Sequence, residues 1–314
     1  MSAATVSPQS FKQRSLVAID DLDRHEIDKL LEVAAELEGQ HLDVLAGHQV
    51  ALVFYEASTR TYNSFVTAVH QLGASVCGFA GAAGSSVQKG ESLHDTIKMF
   101  EAYSDAIVLR HPRDGAARWA ADVSRVPVIN AGDGKNQHPT QTLLDLYAIK
   151  ATHGKIEGLS VALTGDLKYG RTVHSLAEAL SIYPDITLHL AAPPSLEMPP
   201  YLVDHLTRSG VKVHVHERLE DVTHEVDILY VTRIQRERMP DEMEYERVRG
   251  AYRLTAEMLK GVRQGLRVLH PLPRVDEIAP CVDETPYAYY FQQAAGGVHV
   301  RKALLWLILT GGSK

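Results

Sequence analysis

The sequence contains little of what stabilises small secreted domains or spans membranes. Only two cysteines occur in 314 residues, Cys77 and Cys281, and they suit neither a disulfide framework nor a zinc finger. The most apolar stretch, at 303–309, is too short to cross a bilayer. The N-terminal residues lack the apolar core of a signal peptide. We therefore expect a cytoplasmic protein with reduced thiols and no membrane partner.

Basic runs are also absent, and the formal net charge is −7, so we expect no nucleic-acid partner. No set of His, Cys, Asp and Glu shows metal-ligand spacing. The Gly-rich motifs of nicotinamide-binding and P-loop proteins are missing, and so is the nucleophile motif of α/β-hydrolases. We therefore expect no metal and no cofactor, and any catalysis must rely on positioning and positive charge.

Apolar runs of strand type alternate with amphipathic helical segments along most of the chain. This alternation predicts parallel sheets with helices on both faces. It pauses at Gly154–Gly158 and then restarts. We therefore place one domain at 1–152 and a second at 153–288, with a last helix at 289–314 packing back onto the first. The predicted fold is α/β, with two doubly wound parallel-sheet domains and the active site in the cleft between them.

Individual elements follow from the same pattern. Asp23 and Glu26 form a capping-box pair that begins a helix running to about residue 38. A short helix is expected at 255–260. The predicted strands lie at 50–55, 75–79, 105–109, 126–130, 159–163, 186–191, 211–214, 226–231 and 266–270.

The stretch 50–71 is the most informative single segment. It reads as a buried strand, a tight turn and a helix, with Ser58 placed as the helix N-cap. A helix N-terminus presents unpaired N–H groups and partial positive charge, and Arg60 adds a guanidinium there. Alone, this turn favours an ordinary capped helix with a surface arginine over a phosphate site.

Other polar side chains collect where predicted strands end. Arg110, His138, Arg171 and Arg233 each follow a different strand. Since the carboxyl ends of parallel strands share one edge of a sheet, these groups should line a common rim. Arginine binds carboxylate and phosphate through two parallel hydrogen bonds, so the rim favours small polyanions as ligands.

Seven motifs, taken together and in order, make the chain resemble the aspartate carbamoyltransferase catalytic chains along nearly its whole length. The form GDLKYGR resembles the bacterial type, which can pair with a regulatory chain. The motifs are FYEASTRT (54–61), KGES (89–92), LRHP (109–112), HPTQTLLDLY (138–147), GDLKYGRTVHSL (165–176), TRIQRER (232–238) and HPLPR (270–274).

The resemblance implies a reaction in pyrimidine biosynthesis that joins carbamoyl phosphate and L-aspartate into N-carbamoyl-L-aspartate and phosphate. Thr61, Arg110 and His138 would polarise the carbamoyl carbonyl, and Arg60 and Lys89 complete the catalytic set. The carbamoyl phosphate site would comprise Ser58, Thr59, Arg60, Thr61, Arg110, His138, Gln141 and the main-chain carbonyls of Pro271 and Leu272.

The same resemblance assigns aspartate binding to Lys89, Arg171, Arg233 and Gln235. Ser85 and Lys89 would lie on a loop that enters the site of a neighbouring subunit, which makes a homotrimer the working unit. Domain closure would be favoured by a bridge from Glu56 to Arg171 and Arg238.

Two alternatives stay open. An ornithine-type carbamoyltransferase shares the phosphate motif but typically carries HCLP where this chain has HPLP at 270–273. A catalytically silent homologue would be marked by loss of Arg60, Arg110 or His138, and all three are present.

One departure from the family is Tyr62, where a second arginine is usual. The family pattern also predicts a cis bond between Leu272 and Pro273.

Overall fold

The structure is a computed structural model, and it describes residues 7–83, 85–234, 243, 246 and 252–313. The chain divides into two compact units, Met1–Leu144 with Ala295–Lys314 (unit 1) and Asp145–Ala294 (unit 2). Both changes of unit fall inside helices rather than at the Gly154–Gly158 turn, because a helix can leave one core and enter another without interrupting its hydrogen bonds.

The described elements alternate between strand and helix, as the apolar pattern predicts. The strands are β1 (Gln49–Phe54), β2 (Ser75–Ala80), β3 (Ala106–His111), β4 (Val128–Asp133), β5 (Ser160–Thr164), β6 (Thr187–Ala191), β7 (Lys212–His216), β8 (Ile228–Val231) and β9 (Arg267–Leu269). The α-helices are α1 (Arg24–Glu36), α2 (Thr59–Gln71), α3 (Leu93–Tyr103), α4 (Ala116–Val123), α5 (Pro139–His153), α6 (Arg171–Ser181), α7 (Pro200–Arg208) and α8 (Tyr290–Thr310).

Unit 1 is built on a four-stranded parallel sheet with the order β2-β1-β3-β4. The chain therefore winds outward in one direction from β1 and in the other direction from β3. The two strands run in register, so that Phe54 lies opposite Arg110 at their carboxyl ends. Such a point of reversal leaves a crevice beyond the strands, where ligands bind in open α/β sheets.

Unit 2 repeats this arrangement with five parallel strands in the order β7-β6-β5-β8-β9. Its winding reverses between β5 and β8, and Thr164 lies opposite Val231 there. The two doubly wound α/β units predicted from the alternation are thus confirmed. In each unit the winding reverses between the two central strands.

The cores are apolar because the central strands are covered on both faces. Residues 50–54 of β1 are fully buried, and α2 packs Phe65, Ala68 and Val69 inward from one face. Burying an aliphatic or aromatic side chain of this size contributes about 1.5–3 kcal/mol. This burial explains why β1 and β3 carry no charged side chain before Arg110 at the end of β3.

Local signals set several boundaries. The predicted capping box at the start of α1 is present, since the Asp23 carboxylate accepts from the Glu26 N–H and Glu26 accepts from the Asp23 N–H. The expectation of a helix at 255–260 is wrong, because only a 3₁₀ turn forms, at Glu257–Leu259. So short a segment gains too few hydrogen bonds to offset the cost of helix nucleation.

The last part of α8 belongs to unit 1, as expected for the closing helix. Leu304, Leu305, Leu307 and Leu309 are buried there. The ammonium of buried Lys302 donates to the carbonyl oxygens of Leu37 and Gln40, at 2.5 and 2.6 Å. No described helix is both long enough and apolar enough to cross a bilayer.

The close approach of β2 to β1 gives a test of the fold. Gly78 has a φ of +119°, and a Cβ atom there would overlap the carbonyl of Leu52. We expect Gly78→Ala to lower the free energy of unfolding by about 2–4 kcal/mol. Gly39→Ala is the matched control, because Gly39 also has positive φ but open space around it. It should cost about 1 kcal/mol in urea unfolding, and equal losses would contradict the packing argument.

Candidate active site

The first half of the site is the N-terminus of α2 in unit 1. Ser58 is the N-cap residue in an extended conformation, and its hydroxyl makes no capping hydrogen bond. Thr59, Arg60 and Thr61 form the first turn, where backbone N–H groups have no helical partner. A hydroxyl that is not used as a cap, next to unpaired N–H groups and a guanidinium, suits a bound anion.

Arg110 brings a second guanidinium to this place from the end of β3. Its side chain is largely buried, one terminal nitrogen (Nη1) donates to the carbonyl of Ala131 at 3.1 Å, and Nε has no hydrogen-bond partner among the described residues. The pKa of Arg110 is below its usual value, mainly because burial disfavours the charged form. The nearby Glu56 carboxylate raises this pKa, and the nearby Arg60 cation lowers it. A desolvated cation near a second cation is costly, and an anionic ligand would relieve that cost.

Glu56 is a carboxylate that lies beside Arg110 in unit 1. Its Oε2 atom is 3.7 Å from the Nε atom of Arg110. The family resemblance implies a bridge from Glu56 to Arg171 and Arg238. Within unit 1, Glu56 lies beside Arg110, so this carboxylate partly balances the positive charge when no ligand is bound.

His138 lies at the start of α5, next to the end of β4. It is 6% exposed, and its Nδ1 atom is 3.5 Å from the hydroxyl of Thr140. Its carbonyl accepts the N–H of Gln141 at 2.8 Å, which opens the first turn of α5. The backbone of both residues is therefore fixed by the beginning of a helix.

The segment after β2 carries the two predicted loop residues. Ser85 precedes a 3₁₀ turn at Ser86–Lys89, and its hydroxyl donates to the carbonyl of Ala82 at 2.7 Å. Lys89 is exposed and ends that turn, followed by Gly90 in the left-handed conformation. Lys89 thus presents its charge to solvent within the single chain.

In unit 2, Thr232 fixes the two central strand ends to one another. Its hydroxyl donates to the carbonyl of Thr164 at 2.9 Å and accepts the N–H of Asp166 at 3.2 Å. A Cβ atom on Gly165 would overlap the carbonyl of Thr232, so the turn after β5 can approach β8 only with glycine there.

This junction positions two arginines of unit 2. Arg171 is the first residue of α6, and Arg233 directly follows Thr232. Both are partly buried. They follow β5 and β8, the two strands between which the winding of the sheet reverses. Gln235 and Arg238 lie outside the described residues.

The turn after β9 presents the carbonyls of Pro271 and Leu272. Buried His270 accepts the N–H of Leu272 through Nδ1 at 2.8 Å, while its Nε2 lies 2.7 Å from a carboxylate oxygen of Glu277. The predicted cis bond between Leu272 and Pro273 is present, and Leu272 has a φ of +52°. The His270 side chain, which is held by Glu277, therefore fixes the backbone turn that presents these two carbonyls.

Two polar side chains near these motifs have structural contacts instead. Arg274 pairs with the carboxylate of Asp283 and donates to the hydroxyl of Tyr290 at 3.0 Å. Tyr62 places its ring edge-on against Phe54, with the ring centroids 5.2 Å apart. Tyr62 therefore makes a packing contact, and no second guanidinium stands at this position of α2.

Sequence reasoning missed two buried carboxylates beside the site, Asp133 and Glu277. Both are almost fully buried, and both accept hydrogen bonds from the turns that carry predicted residues. The available signal was an acidic residue within a few positions of a motif, at the end of an apolar strand or after a proline turn. That signal is weak, because most acidic residues in such places are solvated.

The chemistry open to this arrangement is binding and polarisation. No group of three or more His, Cys, Asp and Glu in the described part of the chain could hold a metal ion. Guanidinium, imidazole and hydroxyl groups at fixed positions can stabilise negative charge that develops on an oxygen atom. Unit 1 offers such groups around an anion site, and unit 2 offers two further cations for carboxylates.

The two units match two parts of one protein family. Residues 14–151 match the family described as aspartate/ornithine carbamoyltransferase, carbamoyl-P binding domain. Residues 157–308 match its counterpart, the aspartate/ornithine carbamoyltransferase Asp/Orn binding domain.

Curated relatives and solved structures cover almost the whole chain. The chain is 55% identical over 304 residues to the aspartate carbamoyltransferase catalytic subunit of Thermococcus onnurineus, covering 95% of this chain and 98% of the relative. It is 47% identical to the structure of the M. jannaschii aspartate transcarbamoylase catalytic subunit, with a TM-score of 0.88, covering 93% and 96%. The Trypanosoma cruzi aspartate transcarbamoylase in complex with carbamoyl phosphate and aspartate is 37% identical, with a TM-score of 0.91, covering 98% and 100%.

The pair formed by His270 and Glu277 gives a pH-dependent test. Burial raises the pKa of Glu277, but hydrogen bonds from His270 and from backbone N–H groups outweigh it and hold the pKa below its usual range. A carboxyl whose pKa is lowered on folding stabilises the protein above its unfolded pKa of about 4.3 and stops doing so at lower pH. We expect Glu277→Gln to lower the unfolding free energy at pH 7 by about 1–3 kcal/mol.

The same variant should lose less stability than the wild type as the pH falls from about 5 to about 3, because glutamine cannot titrate. Urea unfolding at pH 7 and at pH 4 measures both effects. The control is Glu284→Gln, which changes an exposed carboxylate of the same segment. Equal pH dependence in wild type and Glu277→Gln would contradict the role assigned to this carboxylate.

Proposed function

The chain belongs to the aspartate/ornithine carbamoyltransferase family, and we propose that it transfers the carbamoyl group of carbamoyl phosphate to L-aspartate. The products are N-carbamoyl-L-aspartate and phosphate, in a step of pyrimidine biosynthesis. The observation that carries the proposal is that arginines stand beyond the strand ends at which the winding of each sheet reverses. Arg110 ends β3, Arg60 in the first turn of α2 is near enough to lower its pKa, and Arg171 and Arg233 follow β5 and β8.

Aspartate is favoured over ornithine by the chemistry of unit 2. Ornithine carries a side-chain ammonium, which needs a carboxylate partner, whereas Arg171 and Arg233 suit two carboxylates. The chain also has proline at 271, where the ornithine enzymes typically carry cysteine. The relatives at 52–56% identity are named aspartate carbamoyltransferase catalytic subunits. A silent homologue is not favoured, because Arg60, Arg110 and His138 are all retained.

Unit 1 binds carbamoyl phosphate in this proposal. The N–H groups and hydroxyls of Ser58, Thr59 and Thr61 hold the phosphate, together with the guanidinium groups of Arg60 and Arg110. The Ser58 hydroxyl, which makes no capping hydrogen bond, and the Arg110 Nε, which has no hydrogen-bond partner among the described residues, support this assignment. Glu56 leaves Arg110 when the doubly charged phosphate arrives, because the phosphate interacts more strongly with that cation.

The carbamoyl group itself needs donors on its oxygen and acceptors on its amide nitrogen. Thr61, Arg110 and His138 donate to the oxygen. Gln141 and the carbonyls of Pro271 and Leu272 accept from the amide. The anchoring of the 270–272 turn by Glu277 supports the role of these carbonyls, since an acceptor that cannot move is ready before the substrate binds.

Aspartate binds through its two carboxylates. Arg171 takes the α-carboxylate, while Arg233 and Gln235 take the side-chain carboxylate, and Lys89 assists from its loop. Glu56 then bridges to Arg171 and Arg238, which favours closure around both substrates. The placement of Arg171 and Arg233 at neighbouring strand ends supports this division of roles.

The reaction forms a C–N bond and breaks the C–O bond to phosphate. Attack by the aspartate amine builds negative charge on the carbamoyl oxygen, which the Thr61, Arg110 and His138 donors stabilise. The amine loses its proton as it attacks, and the departing phosphate is itself a suitable acceptor. Arg60 and Arg110 stabilise the phosphate as its charge increases. No metal or cofactor takes part.

We further propose a cytoplasmic homotrimer whose sites are shared between subunits. The exposed Lys89, on a turn that follows Ser85, supports a contribution to a neighbouring chain. Both cysteines are free thiols, in keeping with a reducing compartment. A regulatory chain is a further partner that we propose, because the relatives are named as catalytic subunits.

The substrate is tested by product formation. Purified protein is incubated with carbamoyl phosphate and either aspartate or ornithine. We expect N-carbamoyl-aspartate at a rate at least about 10³-fold above that of any ornithine product, because an unpaired ammonium beside two arginines is strongly disfavoured. A second variant, Arg233→Lys, keeps the positive charge but cannot form the bidentate hydrogen bonds to a carboxylate. It should therefore raise KM for aspartate. Turnover with ornithine but not aspartate would refute the assignment.

The shared site is tested by mixing two inactive variants. Arg60→Ala removes a group of the main site, and Lys89→Ala removes the group from the neighbour's loop. After subunit exchange, a site works only where an intact Arg60 meets an intact Lys89 from the next chain. Random mixing in a trimer should therefore restore about one quarter of wild-type activity. Absence of recovery in exchanged trimers would mean that both residues act within one chain.

A further inference from the structure

The segment between β4 and His138 contains a carboxylate that the proposed chemistry does not use. Asp133 is the last residue of β4 and is 1% exposed. Five residues later the chain reaches His138, which directly precedes α5 and donates to the carbamoyl oxygen in the proposed reaction. A buried carboxylate is costly unless its oxygens are hydrogen-bonded, so its partners indicate what it does.

Both oxygens of Asp133 accept two hydrogen bonds, and all four donors are neutral amides. Oδ1 accepts the backbone N–H of Gln137 at 3.0 Å and the side chain of Asn130 at 2.9 Å. Oδ2 accepts the backbone N–H of Gly115 at 2.9 Å and the side chain of Asn136 at 3.1 Å. Two of these donors directly precede His138 in the chain, so the carboxylate closes the loop on which His138 depends.

Asn130 extends this network into the sheet. It is fully buried, its amide also donates to the carbonyl of Val17 at 2.8 Å, and its oxygen accepts the N–H of Gly132 at 2.7 Å. The carboxylate of Asp133 therefore accepts hydrogen bonds both from Asn130 in β4 and from Asn136 and Gln137 in the loop that precedes His138.

The same carboxylate connects two turns of the site. Gly115 begins α4, which follows the strand that carries Arg110. A second contact between these turns is the hydrogen bond from the N–H of Gly134 to the carbonyl of His111, at 2.9 Å. The His138 loop is thus held against the β3–α4 turn at a defined distance from β3.

We propose that Asp133 is a positioning residue that sets the place of His138 relative to Arg110. The proposal rests on the proposed function, in which these two groups polarise one carbonyl. Phosphate binding depends less on Asp133, because the backbone of Arg110 is fixed in β3 and the other phosphate groups lie on α2. Loss of Asp133 therefore affects the chemical step more than binding of carbamoyl phosphate.

The test is Asp133→Asn, which keeps the shape but turns one oxygen into an amide that faces two N–H donors. We expect kcat to fall about 10- to 100-fold, since a small displacement of a polarising group has an effect of this size. KM for carbamoyl phosphate should change less than about threefold, because groups outside the loop bind the phosphate.

The matched control is Asp114→Asn. Asp114 is exposed, and its carboxylate accepts the N–H of Lys135 at 2.6 Å on the same loop. This variant should keep kcat within about twofold, since solvent can replace that bond. Comparable losses of kcat in both variants would overturn the specific role of Asp133.

A readout independent of turnover uses NMR of isotope-labelled histidine, with the His138 signal identified from a His138→Gln variant. We expect the His138 ring signal to move in Asp133→Asn and to stay in place in Asp114→Asn. A folded Asp133→Asn protein with normal kcat and an unmoved His138 signal would overturn the proposal. If the wild type makes no N-carbamoyl-aspartate, the proposed function fails, while the NMR comparison still decides the positioning role.

A milder variant covers the case in which Asp133→Asn does not fold. Asn136→Ala removes one of the four donors from an exposed residue, so no buried group is left without a partner. We expect kcat to fall about fivefold with little change in KM for carbamoyl phosphate. Unchanged kcat in this variant would overturn the proposal.

Discussion

The in-register pairing of two central parallel strands is the constraint on which each unit depends. β1 and β3 are buried on both faces, so charge can appear only past their last apolar residues. Their carboxyl ends coincide, and the winding reverses between them, which leaves space for a ligand. The same holds for β5 and β8 in unit 2. Arginines that are far apart in sequence therefore stand at the same edge of each sheet.

Electrostatics then determine what these crevices are able to hold. Arg110 is desolvated, it lies near Arg60, and Glu56 balances it only at 3.7 Å. A site in this condition favours an anion with more than one charge, since each unpaired cation is costly. The N-terminus of α2 adds N–H groups that need no reorganisation when a ligand arrives. Preorganised donors of this kind account for much of the catalysis in reactions that need no metal or cofactor.

Anchoring by buried carboxylates is the second common theme. Glu277 holds the turn of Pro271 and Leu272 through His270, while Asp133 holds the loop of His138. Both acids are fully satisfied by hydrogen bonds, which is the condition under which a buried charge can be retained. They make the proposed substrate-binding turns rigid extensions of the sheets. A site on rigid elements keeps its donors and acceptors in place before the substrate binds.

The sequence alone determined the alternation of strands and helices, the N-cap at Ser58 and the family, because periodicity and short motifs are local properties of the chain. It failed at 255–260, where a local pattern was too short to sustain a helix. Only the tertiary structure decided that Glu56 lies beside Arg110, that Tyr62 packs on Phe54, and that Asp133 and Glu277 are buried. These facts depend on contacts between distant segments and on loss of solvent, and neither is encoded by the spacing of residues along the chain.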